Sequence, residues 1–67
     1  MTMLKVIEVL AESDKSWEDA ANVAVARASE TVRNIKSINV ENLQGTVGDD
    51  GRISRYRINA KISFLLE

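Results

Sequence analysis

The segment from Arg55 to Phe64 alternates between polar and apolar side chains, and this alternation constrains the fold more than any other feature of the chain. Apolar side chains occupy the even positions (Tyr56, Ile58, Ala60, Ile62 and Phe64, continued by Leu66), and polar ones occupy the odd positions (Arg55, Arg57, Asn59, Lys61 and Ser63). Successive side chains of a β-strand point to opposite faces of a sheet, so this period of two predicts a strand with one buried and one polar face.

The N-terminal half of the chain predicts a second strand and a helix. Residues Met3 to Leu10 are mostly apolar on both sides, which predicts a strand with both faces covered, central in its sheet. Ser16 followed by Asp19 resembles a capping box and predicts a helix that begins at Ser16 or Trp17. Its apolar positions form one stripe: Trp17, Ala20, Ala21, Ala24, Ala28, Val32 and Ile35. Because the stripe is mostly alanine, we expect Trp17 to be the one large packing anchor.

The remaining residues predict a β-hairpin. One strand runs from about Lys36 to Val47, the turn spans Gly48 to Gly51, and the alternating strand runs from Arg52 to about Leu66. The turn contains two aspartates, but it lacks the spaced oxygen ligands of a calcium-binding EF-hand loop, which favours a plain turn. The sequence therefore predicts a single α+β domain over residues 1–67, in the order β-α-β-β, with a three-stranded antiparallel sheet partly wrapped around one helix.

The two strands of this hairpin must match their apolar faces. This match places Ile38 and Val40 beside Ile58 and Ala60, and it requires an odd-length loop or a bulge near the glycines. It also brings Glu41 close to Arg57. The opposite face then carries polar residues only: Ser37, Asn39, Glu41, Arg57, Asn59 and Lys61. Such a face can be simply solvated, or it can line a subunit interface or the site of a planar polar ligand or an anion.

The composition excludes several classes of function. The 67 residues include no Cys and no His, so the chain has no thiol nucleophile, no imidazole base and no zinc site of the usual kind. We therefore predict that the protein is not an enzyme. A net charge of −1 gives no reason to expect nucleic-acid binding. No apolar run is long enough to span a membrane and no signal peptide is evident, so we expect a cytoplasmic protein.

The length of the chain predicts self-association. A chain this short buries only about 60% of the surface that its unfolded form exposes. Small domains usually add disulfides, a structural metal or partner subunits. The absence of Cys and His removes the first and most of the second. We therefore expect a homo-oligomer.

Several pieces of the sequence resemble the dodecins, small flavin-binding proteins that assemble as hollow homododecamers. The most specific pieces are "KVIE" at Lys5–Glu8, "SWEDAA" at Ser16–Ala21, "RNI" at Arg33–Ile35 and the ending "YRINAKISFLLE" from Tyr56. The resemblance covers nearly the whole chain. It implies a long helix partly wrapped by a three-stranded antiparallel sheet, and a shell of twelve copies.

The resemblance also implies a ligand site, from which this chain departs at two positions. In the family, flavins stack in pairs between subunits against a tryptophan on the second strand, and a glutamine on the third strand bonds the polar edge of the ring. This chain has Ser37 and Arg57 at these positions. An aromatic platform is worth roughly 1–3 kcal/mol per ring by analogy with base stacking, and a serine supplies none of it. Arg57 can stack on a flavin or hold a phosphate, but we predict that it pairs with Glu41.

We therefore expect Ser37, Arg57 and Glu41 to mark an altered ligand face on which flavin binds weakly or not at all. The two departures resemble the dodecins that lack the tryptophan and have been linked to calcium. Three functions stay open: a storage shell for another small ligand, storage of flavin mononucleotide or riboflavin as in typical dodecins, and a structural or calcium-binding dodecamer. The residues of any ion site stay unknown, because oxygen ligands gathered from several subunits leave no pattern in one chain.

Overall fold

The computed structural model describes residues 2–66. The elements follow in the order β1 (Met3–Ser13), α1 (Trp17–Ala28), β2 (Ile35–Val47) and β3 (Ile53–Leu66). The strands form one antiparallel sheet in the order β1-β3-β2, and α1 packs on one side of it. The predicted α+β class and the order β-α-β-β are confirmed.

β1 is an edge strand, so its predicted central position is wrong. The central strand is β3, which pairs with β1 on one side and with β2 on the other. β1 also continues to Ser13, beyond the predicted end at Leu10. Its apolar residues on both sides suggested a covered strand, but Leu4, Val6 and Leu10 are 55%, 52% and 70% exposed in the protomer. The second apolar side of β1 therefore lies on the molecular surface.

The beginning of α1 is fixed by hydrogen bonds around Ser16, as predicted. Ser16 Oγ accepts a hydrogen bond from the backbone N–H of Asp19 at 2.9 Å. The carboxylate of Asp19 accepts a hydrogen bond from Ser13 Oγ at 2.6 Å, and Ser13 Oγ accepts one from the N–H of Lys15 at 2.9 Å. The buried Ser13 thus joins the end of β1 to the first turn of α1.

The helix ends at Ala28, so the predicted continuation of its apolar stripe through Val32 and Ile35 is wrong. Ser29 is the C-terminal cap, and its hydroxyl donates to a carbonyl of the last turn at 2.7 Å. Serine competes for helix backbone groups in this way. Asn34 then has φ of 61°, a left-handed conformation that asparagine tolerates better than most residues, and Ile35 begins β2.

The core lies between α1 and the side of the sheet that faces it. Its buried apolar residues are Ala20, Ala24, Ile58, Ala60 and Ile62. Trp17 packs against this core, and its ring meets Tyr56 edge-on with 4.9 Å between ring centroids. The indole Nε1–H donates to the carbonyl of Gln44 at 2.9 Å. The predicted packing role of Trp17 is confirmed.

The predicted hairpin turn between β2 and β3 is confirmed. The N–H of Gly48 donates to the carbonyl of Arg52 at 2.8 Å, and the N–H of Gly51 donates to the carbonyl of Gly48 at 3.0 Å. Gly51 has φ of 78°, which glycine adopts without steric cost. Asp50 Oδ1 accepts from the N–H of Arg52 at 3.0 Å and so stabilises the turn itself.

The register of the hairpin differs in part from the prediction. An antiparallel register that brings Glu41 close to Arg57 places Ile38 opposite Ala60 and Val40 opposite Ile58. Instead, Ile38 lies opposite Ile62 and Val40 lies opposite Ala60, a shift of two residues along β3. The predicted bulge is present near the turn, between Thr46 and Val47, and further register shifts occur between Ile35 and Ser37 and between Val40 and Asn42. The displacement is already present at the turn, where Val47 lies opposite Ile53, and each later register shift changes the pairing by only one residue.

Candidate functional site

The side of the sheet that faces away from α1, here called the open face, carries the polar residues that the alternation predicted. The antiparallel registers align them in cross-strand rows: Val6–Ser63–Ser37, Glu8–Lys61–Asn39, Leu10–Asn59–Asn42 and Glu12–Arg57–Gln44. Neutral and charged rows alternate along the sheet. Rows on one face are about 6.8 Å apart, two residues along a strand.

β1 contributes an apolar strip to the open face that sequence reasoning did not predict. Leu4, Val6 and Leu10 share the open face of this strand with Glu8 and Glu12, and the three apolar side chains are more than half exposed. The run "MLKVIEVL" could have indicated this strip, because it has apolar residues at both odd and even positions. The open face is therefore polar on β2 and β3 and apolar along much of β1.

Ser37 lies on the open face, as predicted from the alternation and from the family pattern. Its hydroxyl makes a hydrogen bond with the hydroxyl of Ser63 on β3. The two residues are cross-strand partners, and Val6 follows in the same row on β1. Ser37 thus links two strands and presents a small, hydroxyl-bearing surface on the open face.

Arg57 pairs with Glu12 of β1, so the predicted pairing of Arg57 with Glu41 is wrong. Arg57 Nε donates to Glu12 Oε1 at 2.8 Å, and Arg57 Nη2 lies 2.5 Å from the same oxygen. Arg55 Nη1 lies 3.6 Å from Glu12 Oε2. The reason is the strand order, because β3 is central and Glu12 lies directly opposite Arg57 on β1. The pattern of the β2–β3 hairpin alone could not reveal this partner.

Glu41 pairs with Lys61 instead, with 3.7 Å between Oε2 and Nζ. Glu41 lies in the bulge between Val40 and Asn42, and the row of Arg57 meets β2 at Gln44, three residues further along the strand. Lys61 also has Glu8 as its cross-strand partner on β1. The open face therefore carries two charge clusters of opposite net sign: Glu8, Glu41 and Lys61 form the acidic cluster, and Arg55, Arg57 and Glu12 form the basic cluster.

The pKa of Glu12 lies below its ordinary value of 4.5, chiefly because its carboxylate accepts hydrogen bonds from Arg57. The positive charges of Arg57 and Arg55 lower this pKa further. All three side chains are substantially exposed, between 35% and 58%. Solvent screens an exposed pair of this kind, so its contribution to stability is small. Its main consequence is that Arg57 is occupied.

The middle row of the open face contains a polar atom that the protomer leaves unsatisfied. Asn59 Oδ1 is buried, and within residues 2–66 it has no hydrogen-bond partner. Its row neighbours are Leu10 on β1 and Asn42 on β2. A buried acceptor without a donor costs roughly 1–3 kcal/mol, so the isolated protomer does not satisfy this face completely.

The protomer also has two concave surfaces, one of which reaches the open face at Leu10 and Glu12. A groove of about 400 Å³ runs between α1 and the edge of β1, and its lining is mostly apolar, with Arg27 and Glu12 as its two charged residues. A smaller hollow of about 320 Å³ lies at Arg33, Asn34 and the end of β3. Among the described residues, no group of three or more carboxylate, His or Cys side chains converges as a metal site would require. No helix within residues 2–66 has the length and hydropathy to span a bilayer.

Comparisons with known proteins agree with this fold. Residues 3–67 match the dodecin family model. The calcium dodecin of Mycobacterium tuberculosis is 39% identical over 64 residues, which are 96% of this chain and 89% of the relative. Its crystal structure, described as that of a calcium-chelating antigen with a novel calcium-binding site, has a TM-score of 0.81 at 37% identity and covers 97% of this chain and 91% of its own. A variant of Thermus thermophilus dodecin has a TM-score of 0.92 at 30% identity and covers 100% of this chain and 98% of its own.

Proposed function

The chain belongs to the dodecin family, and from this premise we propose that it forms a cytoplasmic homododecameric shell that binds or stores a small ligand on the open face. The observation that carries this proposal is the exposed apolar strip of β1 beside the polar rows of β2 and β3. Apolar patches left exposed on a small protomer usually mark contacts with other molecules. In a shell of identical subunits, the partner is another copy of the same chain.

We propose binding and not catalysis as the role of this assembly. The open face holds carboxylates, guanidinium groups, amides and hydroxyls, and its carboxylates Glu12 and Glu41 are paired with cations. A general base adjacent to a nucleophile is the arrangement that would argue for an enzyme. A surface of mixed polar rows and an apolar strip suits a flat ligand that is held by contacts on one side and by a second subunit on the other.

Ser37 and Arg57, the two positions that depart from the family pattern, are expected to weaken flavin binding. The hydroxyl of Ser37 is bonded to Ser63, so it offers no stacking surface. Arg57 supplies hydrogen-bond donors only, and two of its N–H groups lie on Glu12. A glutamine in its place would supply both a donor and an acceptor to the edge of a flavin ring. We therefore infer that the ligand of the open face is not held as a typical dodecin flavin.

Calcium is the second candidate ligand, and the 39% identical relative named calcium dodecin supports it. Calcium takes several oxygen ligands, among which carboxylates are the usual charged ones. Three glutamates, Glu8, Glu12 and Glu41, point to the open face of one protomer. A site shared between subunits could gather such oxygens, so an assembly that binds calcium and no flavin is the alternative to a small-molecule shell.

A flavin titration of engineered protein tests the proposal for the ligand face. We expect Ser37→Trp with Arg57→Gln to quench the fluorescence of added riboflavin and flavin mononucleotide, because a stacked indole restores roughly 1–3 kcal/mol per ring. The unmodified protein and Ser37→Ala should quench neither at submicromolar protein. Tight quenching by the unmodified protein would show that another residue stacks the ring. An absorbance spectrum and a metal assay of the purified protein separate bound flavin from bound calcium.

A further inference from the structure

The pairing of Glu12 with Arg57 has a consequence for the charge of the ligand. We propose that Glu12 is a charge-selecting residue of the open face: it occupies the guanidinium of Arg57, keeps phosphate-bearing ligands off this surface and leaves the surface to uncharged ones. This inference rests on the proposed function, in which the open face binds a small ligand.

The contact geometry supports this role, because Glu12 occupies the place of an anion. Oε1 of Glu12 accepts from Nε of Arg57 at 2.8 Å and lies 2.5 Å from Nη2. These two nitrogens form the edge of the guanidinium that binds carboxylate or phosphate oxygens. Glu12 and Arg57 are direct cross-strand partners in the β1–β3 ladder, so the sheet itself holds them together. A phosphate must displace Glu12 to reach that edge.

The second arginine of the cluster strengthens the argument. Arg55 Nη1 lies 3.6 Å from Glu12 Oε2, so one carboxylate is shared by two guanidinium groups. Arg55 and Arg57 are two residues apart on β3 and lie on the same face, with a backbone separation of about 6.8 Å. Without the charge of Glu12, this pair would present two adjacent positive charges, which is the arrangement that recognises phosphate groups.

Glu8 provides a matched control on the same strand and the same face. It lies opposite Lys61, as Glu12 lies opposite Arg57, and it is about 13 Å from Glu12 along β1. Glu8→Gln and Glu12→Gln change the charge of each subunit by the same amount. A general electrostatic effect on anion binding would therefore appear in both variants, whereas release of Arg57 would appear only in the second.

Calorimetric titration with inorganic pyrophosphate tests the inference. We expect Glu12→Gln to bind pyrophosphate about tenfold more tightly than the unmodified protein, equivalent to about 1.4 kcal/mol. Glu8→Gln should change the affinity less than twofold, and Glu12→Gln with Arg57→Gln should lose the gain. Equal gains in the two single variants, a gain that survives loss of Arg57, or no gain in Glu12→Gln would each overturn the proposal.

Two features keep this test decisive. If Glu12→Gln fails to fold or assemble, Glu12→Asp replaces it, because it keeps the charge and loses the reach of one methylene. Glu12→Asp should give a smaller gain in pyrophosphate affinity, and no gain would overturn the proposal. Pyrophosphate also needs no flavin site. If the open face binds no planar ligand, the riboflavin titration of Ser37→Trp with Arg57→Gln fails while the pyrophosphate result stands.

Discussion

The two faces of the sheet have opposite properties, although the same three strands build both. On the side of α1, Ile58, Ala60 and Ile62 are almost completely buried, and Ile58 and Ala60 cluster with Ala20 of the helix. On the open face, Leu4, Val6 and Leu10 are more than half exposed beside paired charges. The face toward α1 is covered within the protomer, whereas the apolar residues of the open face are not. The difference teaches that one side of a single sheet can stabilise the protomer while, on our proposal, the other side serves contacts between copies.

The largest expected effect on stability is on the face that packs against α1. Ile62 is 0% exposed, so Ile62→Ala should lower the free energy of unfolding by about 2–5 kcal/mol, through lost burial and the cavity left behind. Thr46→Ala is the control, because Thr46 is exposed on the open face and should change stability by less than about 0.5 kcal/mol. Urea unfolding at one fixed protein concentration measures both. Similar losses in the two variants would contradict the division between the faces.

The next prediction concerns the open face. Leu10 is 70% exposed in the protomer, and we expect a second subunit to cover it. Leu10→Asp should then place an unpaired carboxylate in an apolar contact and dissociate the assembly, whereas Leu10→Met should leave it intact. Light scattering after gel filtration measures the mass of each variant. A Leu10→Asp variant of unchanged mass would show that this strip is not an interface.

A smaller effect is expected where the helix meets the hairpin. Trp17→Phe removes the hydrogen bond from the indole N–H to the carbonyl of Gln44 but keeps a ring against Tyr56. The free energy of unfolding should fall by about 0.5–1.5 kcal/mol. Trp17 is the one tryptophan of the chain, so the variant has no tryptophan fluorescence to follow. Circular dichroism is therefore the suitable probe of unfolding. A loss as large as that of Ile62→Ala would mean that the tryptophan carries more of the core than its contacts indicate.

The smallest effect belongs to the exposed charge cluster. Because the pKa of Glu12 is lowered in the folded protein, its pairing stabilises the protein fully above the ordinary value of 4.5 and is lost as the pH falls through the lowered pKa. The charged groups around Glu12 are Arg55 and Arg57 of β3 and, across the groove, Arg27 of α1. The difference in urea midpoint between the unmodified protein and Glu12→Gln should therefore shrink in acid. A difference that grows in acid would contradict the sign of this shift.

The sequence predicted what alternation and capping determine locally. The strict alternation around Tyr56 to Phe64 gave the buried and polar sides of β3 correctly, and Ser16 with Asp19 gave the beginning of α1. The partner of Arg57 depends on which strand lies beside β3, and the hairpin pattern reveals only β2. The apolar residues of β1 are evident in the sequence, but the sequence does not show whether the protomer itself or another subunit covers them. The sequence thus predicts local structure, whereas the partners of a residue across the sheet can be identified only from the fold.

The most informative measurement is the mass of the unmodified protein in solution, because the proposed function requires other copies of the chain to complete the open face. Light scattering at micromolar concentration should give about twelve times the subunit mass of 7.4 kDa. The assembly should persist on dilution, since a protomer with this little buried surface gains much of its stability from its partners. A folded, stable monomer at micromolar concentration would contradict the account.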